Sequence, residues 1–373
     1  MNPPTISYLS RIYFGAGRRS EIHDLLRHLS VNRPLIVTDP GLINIGLVDR
    51  LGLDSPCIFS DVQANPAEEN VLAGLEAYRD ADCDGLVAFG GGSSIDCAKG
   101  IAVMVNHPPP LHQYAFVNGG MPLITSERPT LIAIPTTAGT GSEVGRAALL
   151  TMQTGGKVAL LSPHLIPDAV ICDPDLTLDL PANLTAATGM DAVSHCVECF
   201  CSPRFNPVAD AIALDGLKRA WHWLPIACSD GRNREARTEM LMAALEGGMS
   251  LQKGLGAAHS LSHALGGLKE KRLHHGTLNA VFMPYVLEFN KHACAEKMVT
   301  VADAIGAASA EALPEWFRNM NKLLDLPLSL SEMGVDAGDV DPLDELALRD
   351  HCNLTNPCEV TVEQYAALFK AAL

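Results

Sequence analysis

The chain has 373 residues, 47% of them hydrophobic and 19% charged, with a formal net charge of −16. That length makes about two domains with ample core. The acidity excludes a nucleic-acid scaffold, which needs clustered Lys and Arg, and speaks against docking on an anionic membrane. Eleven cysteines lack a framework pattern, and the start MNPPTISYLS lacks the basic and apolar regions of a secretory signal. The thiols are therefore expected to be reduced and the protein cytoplasmic. Cys196, Cys199 and Cys201 lie close together, but no second cluster completes four ligands, so they read as packed thiols.

In chain order, PLIVTD (34–39), DGLVAFGGG (84–92), TLIAIPTT (130–137) and DAVICDP (168–174) are short apolar runs that end in turn residues. Such runs are expected of parallel strands buried on both faces. NPAEENVLAGLEAYRDAD (65–82) carries apolar residues at helical spacing, with Pro and acidic residues in its first turn. HPPPLHQY (107–114) is a loop, and the run TLIAIPTTAGTGS is too short and too broken to span a bilayer. Strands alternating with helices predict an α/β domain with a parallel sheet over residues 1–180. Beyond Leu180 the texture changes to long helical patterns such as ADAIALDGLKRAWHWL, which predicts an all-α domain over 181–373. The acidic stretch DVDPLDELALRDHC (339–352) reads as a solvated helix and loop without catalytic signal.

Two segments of the helical half carry metal-ligand chemistry. GMDAVSHCVECF places Asp191 and His195 four residues apart; AAHSLSHALGGLKEKRLHHG does the same for His259 and His263, then adds His274 and His275 before Gly276. Residues i and i+4 share a helix face, so each pair can aim at a common centre. A carboxylate with imidazoles suits iron or zinc and leaves room for a substrate oxygen. In the first half, Gly90-Gly91-Gly92-Ser93 follows a strand and opens a helix, where free amides favour a pyrophosphate. Asp39 ends another strand, placed either to bond both ribose hydroxyls of NAD or to cap a helix. Thr136, Thr137 and Thr140 supply hydroxyls in a further loop at a strand end.

GGGSSIDCAK, PTTAGTGSEV, DAVSHCVE and AHSLSHALGG…LHHG, in this order, resemble the iron-containing (group III) alcohol dehydrogenase family. The resemblance runs through about PYVLEFN (284–290). It implies a dehydroquinate synthase-like architecture: a Rossmann-like NAD-binding domain, a helical metal-binding domain, and the active site in the cleft between them. It implies metal ligation by Asp191, His195, His259 and the histidine of the pair His275-Gly276, with His274 as the alternative. His263 matches a histidine that is not a ligand but sits near the nicotinamide. Asp39, Asn65, Gly91, Gly92, Ser93, Thr136, Thr137, Thr140 and Lys157 match cofactor contacts. The loop LKEKR before Leu273 is longer and more basic than the family pattern. The resemblance also implies a homodimer or larger assembly.

The expected reaction is hydride transfer between a primary alcohol and NAD, with Fe2+ or Zn2+ lowering the pKa of the alcohol oxygen and His263 relaying the proton. Glu198, one turn beyond His195, either supports a ligand or lies on a solvated face. The substrate is a small alcohol or aldehyde. Arg146, Lys269, Lys271 and Arg272 could hold an anionic end, which points to an ω-hydroxy acid and its semialdehyde, to sulfoacetaldehyde, or to maleylacetate reduction. Glycerol dehydrogenase-like activity is a further alternative, and a non-catalytic nucleotide-binding protein a more distant one.

Overall fold

The six-stranded sheet follows from alternating side chains that are apolar on both faces. The computed structural model describes Ile6, Tyr8 and residues 10–373 apart from Thr154, Lys269, Arg272 and Pro342. It divides into two compact units, one of Leu9–Thr137 and Ser142–Asp179, the other of Met1–Tyr8, Ala138–Gly141 and Leu180–Leu373. In the first unit the strands are β1 (Ile12–Phe14), β2 (Pro34–Val37), β3 (Cys57–Phe59), β4 (Gly85–Gly90), β5 (Thr130–Pro135), β6 (Ala147–Thr151), β7 (Lys157–Leu161) and β8 (Ala169–Cys172). All but β6 and β7 form one parallel sheet in the order β1-β8-β5-β4-β2-β3, while β6 and β7 pair as an antiparallel hairpin.

Leu35, Val37, Leu86, Ala88, Leu131 and Ala133 face one core. Their alternates Ile36, Val87, Phe89, Ile132 and Ile134 face the other. The period of two, with both phases buried, is what a helix-covered parallel sheet requires. Its helices are α1 (Ile22–His28), α2 (Pro40–Asn44), α3 (Glu68–Asp80) and α4 (Gly92–Asn106). From β2 the chain moves outward to β3, then returns past β2 to β4 and continues the other way through β5 and β8. The direction therefore reverses between β2 and β4, and the carboxyl ends of those two strands frame the crevice where open α/β sheets bind ligands.

The second unit is helical, and among the described residues every strand lies in the first. Its helices are α5 (Ala182–Cys201), α6 (Pro207–Ser229), α7 (Arg234–Ser250), α8 (Ala257–Gly266), α9 (His275–Asn290), α10 (Ala295–Ile305), α11 (Leu313–Leu323), α12 (Ala337–Val340), α13 (Asp344–Arg349) and α14 (Val362–Ala372). α5 is buried from Thr185 to Cys201, as expected of a helix apolar on every side. It packs against α6, α7 and α9, and α8 packs on α9 and α13. All eleven cysteines are free, and those of α5 are buried. No helix among the described residues is long and apolar enough to cross a membrane.

Candidate active site

Close helix packing builds the centre of the helical unit. Asp191 and His195 sit one turn apart in the middle of α5, His259 in the first turn of α8, and His275 at the first residue of α9. Gly276 explains the last placement: a Cβ there would lie 2.1 Å from the Ala187 carbonyl oxygen and 3.1 Å from the Asp191 Cβ. Only glycine lets α9 start so close to α5, and that approach sets His275 against Asp191.

Asp191 Oδ1 lies 3.8 Å from His195 Nε2, 3.7 Å from His259 Nε2 and 3.7 Å from His275 Nε2. Ligands bound at about 2.0–2.2 Å to one cation stand apart by separations of this order. Asp191, His195 and His259 offer ligand atoms that all lie within 4.8 Å of one another. Asp191 is 2% exposed, His195 4% and His259 1%. His274, by contrast, has Nδ1 3.5 Å from Thr277 Oγ1. Burial pushes the Asp191 carboxyl up, but the imidazoles of His195, His275 and His259 outweigh it and hold the group well below the usual carboxylate range.

Glu198 faces inward: its Oε1 accepts from the Ala258 amide at 2.8 Å, and its Oε2 accepts the Nδ1 proton of His259. With the proton fixed on Nδ1, the Nε2 lone pair of His259 points at the Asp191 centre, which is how a carboxylate behind a histidine orients a ligand. Burial pulls the His259 imidazolium down, yet Glu198 and Asp191 raise it to about 9.

Asn279, one turn after His275 on α9, is a residue that sequence reasoning missed. Its Nδ2 lies 2.8 Å from Asp191 Oδ1, 3.1 Å from His259 Nε2 and 3.2 Å from His275 Nε2. Its Oδ1 is buried without a hydrogen-bond partner. Three imidazole nitrogens, one carboxylate and an orphaned carbonyl oxygen in one buried spot fit a divalent cation. The i+4 spacing from His275 was the only signal available.

The segment 339–352 corrects one expectation: its end is not solvated. Asp350, whose side chain is 10% exposed, accepts the Nδ1 proton of buried His263 at 3.0 Å. Burial pushes the Asp350 carboxyl up, but His263 and His351 hold it well below the usual carboxylate range. The His263 ring stands 5.2 Å from that of His275 and 5.9 Å from that of His259. Nothing in the local sequence announces this pair, whose partners are 87 residues apart.

In the α/β unit, Asp39, Gly91 to Ser93, and Thr136 with Thr137, all expected around NAD, follow the carboxyl ends of β2, β4 and β5. Asp39 caps α2, its Oδ1 accepting from the Leu42 amide at 3.1 Å. Gly91 caps α4 without a side-chain bond, leaving the helix amides open, and Ser93 lies in the first turn. Gly90 has φ 154°, where a Cβ would meet Ser94 Oγ at 2.4 Å, and a Cβ on Gly91 would meet the Thr137 side chain at 3.2 Å. The Thr136 amide donates to the Gly90 carbonyl at 3.0 Å. Asn65, at φ 55°, accepts from Lys157 Nζ at 3.0 Å, which joins two of the expected contacts. Thr140 falls in the helical unit. Among the basic residues, Lys271 pairs with Asp339 at 2.8 Å and donates to the Gly334 carbonyl at 2.8 Å. Arg146 is exposed, while Lys269 and Arg272 lie outside the described residues.

One unit carries a parallel sheet with a glycine-rich turn at its reversal point, and the other carries Asp191, His195, His259 and His275 around one point, features that suit a metal- and nucleotide-dependent oxidoreductase. Residues 10–174 match the iron-containing alcohol dehydrogenase family and residues 185–373 its C-terminal domain, so the chain belongs to that family. It is 44% identical to 4-hydroxybutyrate dehydrogenase of Cupriavidus necator over 99% of both chains. Among solved structures, 1,3-propanediol oxidoreductase superposes with a TM-score of 0.93 at 35% identity, covering 99% of this chain and 100% of that one. Sulfoacetaldehyde reductase from Bifidobacterium kashiwanohense, in complex with NAD+, superposes with a TM-score of 0.89 at 28% identity over 99% and 98%. The protein is accordingly an NAD- and metal-dependent enzyme that interconverts an alcohol and its aldehyde.

Proposed function

We propose that this enzyme interconverts 4-hydroxybutyrate, or a closely similar ω-hydroxy acid, with its semialdehyde, using NAD and Fe2+. The observation that carries the metal assignment is the convergence of Asp191 Oδ1 with three imidazole Nε2 atoms at 3.7–3.8 Å. The acid substrate rests on the relative named for 4-hydroxybutyrate, 44% identical over nearly the full length of both chains.

When bound, a divalent cation and NAD+ supply Lewis acidity at the alcohol oxygen and a hydride acceptor. Asp191, His195, His259 and His275 would hold the metal, with Glu198 fixing the His259 tautomer. Asp191 would offset part of the cation's positive charge. His263 carries its proton on Nδ1, given to Asp350, so Nε2 is the atom that accepts the alcohol proton. On the nucleotide side, Asp39 would bond the ribose hydroxyls and repel a 2′-phosphate. Gly91, Gly92 and Ser93 would present the start of α4 to the pyrophosphate. Asn65, Lys157, Thr136, Thr137 and Thr140 complete the cofactor contacts. The pairing of Lys271 with Asp339 favours a second reading, a neutral diol or simple alcohol, because that cation is already engaged.

An aldehyde panel tests this, with NADH and NADPH, on protein of measured metal content. Succinic semialdehyde should be reduced with a kcat/KM at least about ten-fold above butanal, the worth of one charge-assisted contact. Equal turnover of the two removes the acid substrate, and preference for 3-hydroxypropanal installs the diol reading.

A further inference from the structure

We propose that His263, Asp350, His351 and Cys352 form a second cation site, separate from the Asp191 centre and suited to Zn2+. His263 lies near the end of α8, and the other three are consecutive where the chain leaves α13 for a 3-10 turn that packs on α8. Asp350 caps that turn, accepting from the Cys352 amide at 2.8 Å, so one carboxylate fixes both segments. Four potential ligand atoms, one from each residue, lie within 4.8 Å of one another. Asp350 Oδ2 is 3.0 Å from His263 Nδ1, and Oδ1 is 3.6 Å from His351 Nδ1. Cys352 Sγ is 3.9 Å from His263 Nδ1 and 3.5 Å from His351 Nε2. One ring nitrogen of His351 and one oxygen of Asp350 would take part, and bonds of about 2.0–2.3 Å to a tetrahedral ion hold four such atoms within the 4.8 Å spread observed here.

The donor chemistry separates this group from its neighbour. A thiolate with two imidazoles and one carboxylate is softer than one carboxylate with three imidazoles, and it ranks Zn2+ above harder cations. The group also has a buried base and an open edge: Cys352 is 1% exposed and His263 3%, whereas the His351 side chain reaches 18%. In the cation-free protein Cys352 is a thiol, because burial and the Asp350 charge push it well up. Zn2+ would displace the Cys352 thiol proton to solvent, and the His263 proton would move from Nδ1 to Nε2, leaving a neutral imidazole that binds through Nδ1. A cation on Nδ1 takes His263 out of proton transfer, so filling the site inhibits. That last consequence rests on the relay reading of His263 above; the existence of the site does not.

The experiment titrates enzyme already carrying one equivalent of divalent metal with Zn2+, counting bound metal by equilibrium dialysis, and in parallel with Co2+. Wild type should bind one further equivalent, and Co2+ should develop the near-ultraviolet thiolate-to-cobalt charge-transfer band. Cys352→Ala should lose both the band and the second equivalent while keeping the first. His351→Ala, a change at the open edge, should weaken the second equivalent at least ten-fold. Saturation of wild type at one equivalent, or a band that persists in Cys352→Ala, overturns the site. A ten-fold loss of kcat with the second equivalent, relieved in His351→Ala, supports the inhibitory role. Undiminished kcat with the second equivalent and its band present keeps the site and overturns the relay reading alone.

Discussion

Replacing Glu198 by Gln tests whether the carboxylate behind His259 sets metal affinity. Glu198 makes two bonds: Oε1 accepts from the Ala258 amide, and Oε2 accepts the His259 Nδ1 proton. Glutamine keeps the first acceptor but turns an NH2 toward Nδ1, so two donors face each other. The imidazole must then shed the bond or move its proton to Nε2, where it blocks the lone pair aimed at Asp191. Losing one charge-assisted bond costs about 1.5–3 kcal/mol, and partners of this kind change metal affinity about 10- to 100-fold. The two estimates agree, since a ten-fold change is about 1.4 kcal/mol. Chelator competition with Co2+ or Zn2+ measures the Kd, and circular dichroism checks that the helices persist. Gly256→Ala is a milder version, because its Cβ would press on Glu198 Oε1 at 3.0 Å; its Kd should fall between wild type and Glu198→Gln. A Glu198→Gln Kd within two-fold of wild type refutes the reasoning.

Three further outcomes follow from the same geometry. Asp350→Asn preserves shape but removes the charge at His263 Nδ1, so kcat should drop about 10- to 100-fold with metal content retained; undiminished kcat would show that this tautomer is immaterial. Asp39→Ser keeps an acceptor for the Leu42 amide while removing the charge, so the ratio of kcat/KM with NADP to that with NAD should rise at least about ten-fold; unchanged NAD selectivity reduces Asp39 to a helix cap. Glu143 is raised by burial from the ordinary 4.5 to about 7, against the opposing pull of Lys99. The folded state therefore holds a proton that the unfolded chain has lost across that window. The resulting stability is full below about 4.5 and is lost as pH rises toward 7, by ~3 kcal/mol. Urea unfolding from pH 4.5 to 7.5 should show wild type declining relative to Glu143→Gln by that amount, and parallel curves would disprove it.

Local pattern made much of this protein legible. The apolar runs at 34–39, 84–92, 130–137 and 168–174 correspond to β2, β4, β5 and β8, because a strand buried on both faces needs no partner information to be recognised. The short edge strands β1 and β3 carried no comparable signal, since few of their residues meet the core. The β6–β7 hairpin, which places Ala148, Leu150 and Leu160 in the core, offered only short runs that pair with each other and not with the parallel sheet. Helical spacing likewise exposed Asp191 with His195, and His259 with His263, because four residues bring side chains onto one face.

What chain order alone determined was therefore which side chains could act in pairs within one helix, and that the first half alternates strand and helix. Whether those pairs share a centre was decided by tertiary packing: a glycine at 276 lets α9 crowd α5, which brings His275 and Asn279 to Asp191. The partnership of His263 with Asp350, and the gathering of His351 and Cys352 beside them, depends on contacts nearly ninety residues apart. Periodicity reports only neighbours within a turn or two, so an acidic tail and a distant histidine become one site only when the helices between them have packed.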